Sequence, residues 1–123
     1  MTEENRQVLD VDVLFVGAGS ASLAGALHLK KLTINAGLDI SIAIIDKARE
    51  IGAHSLSGAI IDPRSLNELI PDYLEKGVPF EAKVTEENMY YLSSNGKFRF
   101  PFLPKSMSHH GCYVASLGQF TRW

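Results

Sequence analysis

A short apolar strand that leads through a glycine turn into an alanine- and leucine-rich helix is the feature that most constrains the fold of this chain. The strand and turn occupy residues 12–19, which read Asp-Val-Leu-Phe-Val-Gly-Ala-Gly. Gly17 permits a tight turn out of the strand, and Gly19 lets the backbone approach a pyrophosphate that a Cβ atom would push away. The phosphates would lie at the helix N-terminus, where free N–H groups and the helix dipole attract negative charge. The pattern predicts a βαβ dinucleotide-binding unit.

A second apolar run, residues 41–45, follows the helix and ends at Asp46. A carboxylate at the end of the second strand of such a unit accepts hydrogen bonds from a ribose hydroxyl and disfavours a 2′-phosphate, so NADP is not expected. The alternative interpretation of Asp46 is a solvated carboxylate at a strand end. Ser22 replaces the third glycine of the fingerprint, so either the helix stands slightly off the strand or Gly25 makes the close contact.

Composition excludes several classes of protein. With 46% hydrophobic and 21% charged residues, the chain is globular and forms at most one domain. Its 12 basic and 14 acidic residues give a net charge of −2 without a basic stripe, which argues against a nucleic-acid partner. The single cysteine, Cys112, excludes an internal disulfide and a cysteine-built metal or iron–sulfur site within these residues.

The N-terminus and the apolar runs bear on localisation. Residues 1–7 are polar and include two glutamates, which is typical of neither a secretory signal nor a mitochondrial presequence. The apolar runs are strand-length, well short of the roughly 20 residues that span a bilayer. We therefore expect any membrane contact to be peripheral.

The segment after Asp46 combines glycine and serine in a way that can present backbone N–H groups to a ligand. Residues 47–61 are therefore predicted to form a second cofactor loop, with a plain connector as the alternative. Asp62 as N-cap and Pro63 as the first helical residue then open a short helix that runs to about Ile70. Its face of Leu66, Leu69 and Ile70 is expected to lie either in the core or against a membrane surface.

The last third of the chain interrupts the alternation of strands and helices. Residues 89–92 and 97–100 flank Ser-Ser-Asn-Gly, a pattern that predicts a β-hairpin and an excursion into a neighbouring layer. The adjacent His109 and His110 lack a third ligand at a suitable spacing, which disfavours a metal site. A short strand over 113–115 and a helix capped by Ser116 are expected to follow.

These patterns together predict a fold class and a domain organisation. The fold class is α/β, with a Rossmann-like βαβ dinucleotide-binding unit and a β-hairpin excursion. Residues 1–10 are expected to form a polar tail, and residues 11–123 the first part of an FAD-binding domain that is incomplete at its C-terminus.

Three longer segments resemble the electron-transfer flavoprotein-ubiquinone oxidoreductase family. They are Val-Gly-Ala-Gly at 16–19, Glu-Ile-Gly-Ala-His-Ser-Leu-Ser-Gly-Ala at 50–59 and Leu-Asn-Glu-Leu-Ile-Pro-Asp at 66–72. The second segment is the most discriminating, and residues 110–118 extend the match towards the C-terminus. The resemblance implies an enzyme that uses FAD and a 4Fe–4S cluster to pass electrons from reduced electron-transfer flavoprotein to ubiquinone. The cluster and ubiquinone are implied only for sequence beyond this chain, which alone is not expected to be catalytically competent.

The resemblance also implies a location and a set of site residues. The family is peripheral to the membrane, here the inner (cytoplasmic) membrane of a bacterial-like cell, with contact through about His54 to Glu75. No catalytic residue or metal ligand is assigned, because electron transfer proceeds through the cofactor. The implied cofactor-binding residues are Gly17, Ala18, Gly19, Ser20, Ala21, Asp46, Lys47, Ser57, Gly58 and Ala59.

Two other functions remain open from the sequence. The chain could be part of a different FAD-dependent dehydrogenase or monooxygenase, which would lack a ferredoxin-like cysteine set in its further sequence. It could also be a non-redox nucleotide-binding or membrane-docking module, which would be a stable monomer without flavin affinity.

Overall fold

The structure, a computed structural model, describes residues 8–123 as a mixture of three small sheets and three helices. The strands are β1 (Val13–Val16), β2 (Ile42–Ile45), β3 (Ala59–Ile61), β4 (Phe80–Lys83), β5 (Tyr90–Ser93), β6 (Gly96–Arg99) and β7 (Tyr113–Ala115). The helices are α1 (Ser20–Asn35), α2 (Arg64–Leu69) and α3 (Leu117–Arg122), with a 3₁₀ turn at Lys105–Met107. The α/β class is therefore confirmed. Most of the predicted N-terminal tail, residues 1–7, lies outside the described residues.

The first unit is the predicted strand–helix–strand. β1 and β2 pair in parallel, from Val13 opposite Ile42 to Val16 opposite Ile45, and α1 connects them. Side chains join the pair where it begins, because the Asp12 carboxylate accepts hydrogen bonds from the backbone N–H (2.8 Å) and hydroxyl (2.6 Å) of Ser41. Two parallel strands alone do not establish a doubly wound sheet, so the Rossmann-like assignment stays a prediction.

Helix α1 lies close to β1 at a glycine. A Cβ atom built on Gly25 would be 3.3 Å from Cε1 of Phe15, a distance at the tight end of ordinary packing. Gly25 therefore makes the close helix–strand contact that Ser22 cannot, which was one of the two alternatives from the sequence. Ala26 and Thr33 are the buried residues of this helix.

The second sheet is antiparallel, in the order β3-β7-β4. Its central strand places Ala115 opposite both Ala59 and Phe80, and Ala115 has no exposed surface. The sequence predicted β7 but neither β3, which lies at the end of the predicted second cofactor loop, nor β4. No local pattern marks these two strands, which form because β7 pairs with both of them.

An aromatic cluster holds the second sheet to its neighbouring helices. The Phe80 ring stacks on Tyr113 with 4.4 Å between ring centroids and contacts Tyr73 edge to face at 5.8 Å. Phe120 of α3 lies 6.1 Å from the Phe80 ring on a nearly parallel plane. The cluster thus joins β4, β7 and α3 to the segment that follows α2.

The predicted hairpin is present, with a shorter connection than the sequence indicated. Ser93 pairs with Gly96, so Ser94 and Asn95 form the turn and Gly96 is the first residue of β6. The predicted four-residue connection, 93–96, is therefore reduced to two residues, because its first and last residues join the strands. No residue of this turn has a positive φ, so the turn does not need the conformational freedom of glycine.

The two short helices begin close to where the sequence places them. Helix α2 begins at Arg64 with Pro63 as its N-cap, so the predicted parts of Asp62 as N-cap and Pro63 as first helical residue are wrong by one position. The Asp62 carboxylate still accepts a 3.0 Å hydrogen bond from the Arg64 N–H at this helix start. Leu66 is only 7% exposed, which places this residue in the core and not at a membrane surface. Among residues 8–123, we find no helix with the length and apolarity to cross a bilayer.

Candidate nucleotide-binding site

The glycine turn between β1 and α1 has the backbone geometry that the motif requires. Gly17 has a φ of +101°, a conformation that only glycine adopts without strain, and its N–H donates a 2.6 Å hydrogen bond to the carbonyl of Ile45. Ala18 is buried at 5% exposure. Gly19 is extended, with a φ of −78° and a ψ of 169°. A Cβ atom built on Gly17 or on Gly19 would meet no other atom within 4 Å, so the turn faces open space.

Helix α1 begins directly after this turn with its N-terminal N–H groups uncapped. Within the described part of the chain, no side chain caps the helix, and its first turn carries no acidic residue. The first helical hydrogen bond runs from the Leu23 N–H to the Gly19 carbonyl (3.0 Å), so the N–H groups of Ser20, Ala21 and Ser22 precede the helical ladder. A helix of 16 residues with a free N-terminus favours an anion at this position.

Asp46 lies at the end of β2 and joins the turn to its own loop. Its Oδ2 accepts a 2.6 Å hydrogen bond from the Ala18 N–H, and its Oδ1 accepts a 2.7 Å hydrogen bond from the Ala48 N–H. The bond from Ala18, and then the bond from Ala48, lower the pKa of this carboxyl below its usual value, with smaller contributions from His54 and Lys47. Asp46 is therefore ionised at neutral pH, and each of its oxygens keeps a lone pair that a ribose hydroxyl could use.

The hydrogen bond between Asp46 and the glycine turn was missed by the sequence analysis, which assigned the carboxylate to a ribose alone. The two residues are 28 positions apart, and no local pattern indicates the bond. The parallel register is the only available signal, because Val16 lies opposite Ile45 and the residues that follow both strands meet at one edge. The ribose role of Asp46 stays a prediction.

The predicted second cofactor loop divides into turns and a strand. Ser55 donates its N–H to the Gly52 carbonyl (3.1 Å), and Gly52 and Gly58 have φ values of +78° and +85°. Ser57 and Gly58 are exposed, whereas Ala59 is the first residue of β3 and pairs with Ala115. The role of Ser57, Gly58 and Ala59 towards a cofactor stays a prediction.

The structure brings together most of the predicted site residues. Seven of them lie at the carboxyl edge of the β1–β2 pair, where the turn, the start of α1 and the end of β2 meet. The seven residues are Gly17, Ala18, Gly19, Ser20, Ala21, Asp46 and Lys47.

His109, the first of the two adjacent histidines, has a structural partner. Glu87 accepts hydrogen bonds from the backbone N–H of His109 (2.7 Å) and pairs with its ring Nδ1 (2.7 Å). The backbone bond from His109 lowers the pKa of Glu87 below its usual value. Among the residues that the structure describes, no group of three His, Cys, Asp or Glu side chains could hold a metal ion.

Comparison with known proteins shows what this chain is similar to. No protein-family model matches it. It is 45% identical over 112 residues to "Electron transfer flavoprotein-ubiquinone oxidoreductase, mitochondrial" of Dictyostelium discoideum, a match that covers 91% of this chain. Proteins of the same printed name from Pseudomonas aeruginosa and from Homo sapiens, the latter mitochondrial, are 44% and 42% identical over 96% and 93% of the chain.

The matches cover only a part of each relative. The chain spans between 18% and 22% of the length of these three proteins. The resemblance that the sequence motifs indicated is thereby confirmed over almost the whole chain. The chain is homologous to one segment, about a fifth in length, of electron transfer flavoprotein-ubiquinone oxidoreductases.

Proposed function

We propose that this chain is the FAD-binding portion of an oxidoreductase that passes electrons from reduced electron-transfer flavoprotein to ubiquinone. The name of its relatives supports the reaction and both partners. The geometry of the glycine turn supports the nucleotide. A 4Fe–4S cluster and the ubiquinone site belong to other parts of such an enzyme in this proposal, and this chain supplies no catalytic residue.

Gly19 is the single observation that carries the proposal. Its backbone is extended and its missing Cβ atom would meet nothing, so neither conformation nor internal packing requires glycine at this position. Because this glycine stands at the uncapped N-terminus of a 16-residue helix, a ligand that approaches the backbone closely accounts for it. A pyrophosphate at the uncapped N-terminus of α1 is such a ligand.

The remaining site residues fit the other parts of FAD. In this arrangement the N–H groups from Gly19 to Ala21 bind the pyrophosphate, and Asp46 accepts hydrogen bonds from the adenosine ribose. Lys47 contributes a positive charge at the same edge, and the exposed Ser57 and Gly58, with Ala59, lie towards the flavin. FAD supplies reversible acceptance of electrons when it is bound. The chain's own residues bind and orient it.

A titration of the isotope-labelled chain with ADP and with FAD, followed by amide NMR shifts, tests this proposal even if the affinity is weak. We expect the amides of Gly17 to Ala21 and of Ala48 to move with both ligands, because ADP is one half of FAD. NADP should move them less, since Asp46 repels its 2′-phosphate. Shifts scattered away from the turn, or none at saturating ligand, would contradict the proposal. Equal affinities for ADP and FAD would favour a non-redox nucleotide-binding module.

We also propose that the protein contacts the inner (cytoplasmic) membrane peripherally through about His54 to Glu75. Leu56 and Leu74 support this, because they are 80% and 60% exposed in that segment. Leu66 is not part of this membrane contact, because its side chain is buried. Sedimentation with vesicles of bacterial phospholipid checks the contact: Leu56→Ser and Leu74→Ser should reduce the bound fraction, whereas Leu32→Ser on α1 should not. Equal sedimentation of all three variants would contradict it.

A further inference from the structure

A contact between two glycines fixes the second cofactor loop against α3. A Cβ atom built on Gly52 would clash with the Gly118 carbonyl oxygen and would lie 2.7 Å from Oγ1 of Thr121. A Cβ atom built on Gly118 would lie 2.9 Å from the Gly52 carbonyl oxygen. Real Cβ atoms essentially never come so close to backbone oxygens, so any side chain at either position must move one backbone away from the other.

Polar contacts hold the same pair of segments together. Arg122 of α3 forms an ion pair with Glu50 (3.2 Å), and its Nε donates to the Ile51 carbonyl (3.4 Å). Thr121 is 7% exposed, and its hydroxyl donates within α3 to the carbonyls of Leu117 (2.9 Å) and Gly118 (3.1 Å). The loop therefore packs on α3 at residues 50–52 without leaving the buried Thr121 hydroxyl unpaired.

The other end of the loop is fixed by the strand that precedes α3. Ala59 begins β3 and pairs with Ala115, the last residue of β7, and Ser116 then leads into α3. The segment from β7 through α3 thus contacts the loop at Gly52 and again at Ala59. Between these two points lie the exposed Ser57 and Gly58.

We propose that Gly52 and Gly118 are positioning residues that set where Ser57 and Gly58 stand relative to the glycine turn, and thereby determine the preference for FAD over ADP. This inference rests on the proposed function. ADP occupies only the turn and the end of β2, so its affinity does not depend on residues 53–58 of the second loop. The flavin half of FAD extends towards that loop and loses its contacts when the loop moves.

Gly118→Ala tests the inference, with Gly96→Ala as the matched control. Gly96 lies at the start of β6, and a Cβ atom there meets nothing within 4 Å. We expect Gly118→Ala to speed hydrogen exchange at the amides of residues 53–58. It should also lower the ratio of FAD affinity to ADP affinity by about tenfold, a factor that corresponds to roughly 1.4 kcal/mol. The ADP affinity of Gly118→Ala should stay at the wild-type level. In Gly96→Ala, both the hydrogen exchange at residues 53–58 and the ratio of FAD affinity to ADP affinity should also stay at the wild-type level.

The outcomes separate this inference from the function on which it rests. A folded Gly118→Ala variant with unchanged exchange and an unchanged affinity ratio would overturn the inference and leave FAD binding intact. Failure of the wild-type chain to bind either ligand would overturn both. If Gly118→Ala does not fold, Arg122→Gln replaces it: loss of this exposed ion pair should lower the affinity ratio about twofold, and an unchanged ratio would again overturn the inference.

Discussion

At the scale of single residues, Asp46 connects two backbone segments through one carboxylate. Its two oxygens accept hydrogen bonds from the N–H of Ala18 in the glycine turn and from the N–H of Ala48 after β2. Gly17 complements this link, since its N–H bonds to the Ile45 carbonyl and its positive φ turns the chain towards α1. Contacts within the chain itself therefore shape the turn, and such preorganisation lowers the conformational cost of binding.

The lowered pKa of Asp46 predicts a pH-dependent contribution to stability. Because its folded pKa lies below the unfolded value of about 4, the contribution is fully present above that value and is lost as the pH falls through the folded pKa. We expect Asp46→Asn to be less stable than wild type at pH 6 and the difference to shrink by pH 3. Urea unfolding at both pH values measures the difference in stability between Asp46→Asn and wild type. A difference that is unchanged at pH 3 would contradict a stabilising role of the ionised Asp46 carboxylate.

At the scale of elements, the order of strand, helix and strand was predictable, because glycine, apolar periodicity and the terminal carboxylate are local signals. β2 begins at Ile42 and not at Ser41, since Ser41 bonds to Asp12. β3 and β4 were not predictable, because each depends on pairing with β7 across 30 or more residues of chain. The contact of Gly52 with Gly118 was not predictable either, because these two residues are also far apart in the sequence.

The close contact of α1 with β1 makes Gly25 sensitive to size. We expect Gly25→Val to destabilise the chain by about 1–3 kcal/mol, because a branched side chain overpacks against Phe15. His28→Val is the control, because it introduces the same valine on the exposed side of the same helix, away from Phe15. Chemical denaturation of both variants measures the effect. Equal stabilities would show that α1 can move away from β1 without cost.

At the scale of the whole molecule, the aromatic cluster around Phe80 joins the second sheet to α3 and so to the second cofactor loop. Phe80→Ala should cost about 2–3 kcal/mol, less than for a fully buried phenylalanine because Phe80 is half-buried. Phe102→Ala is the control, since Phe102 is 74% exposed and should change stability by less than about 0.5 kcal/mol. Thermal or urea unfolding compares them, and similar costs would mean that the cluster does not stabilise the fold.

The central claim, that a dinucleotide pyrophosphate lies on the glycine turn, is tested most directly by Gly19→Ala. The backbone at Gly19 tolerates alanine and a Cβ atom there meets no protein atom, so the free energy of unfolding should equal that of wild type. The measurement is FAD affinity of Gly19→Ala and wild type, alongside their urea unfolding. The account predicts unchanged stability with at least about tenfold weaker FAD binding. Unchanged FAD affinity in the alanine variant would contradict it.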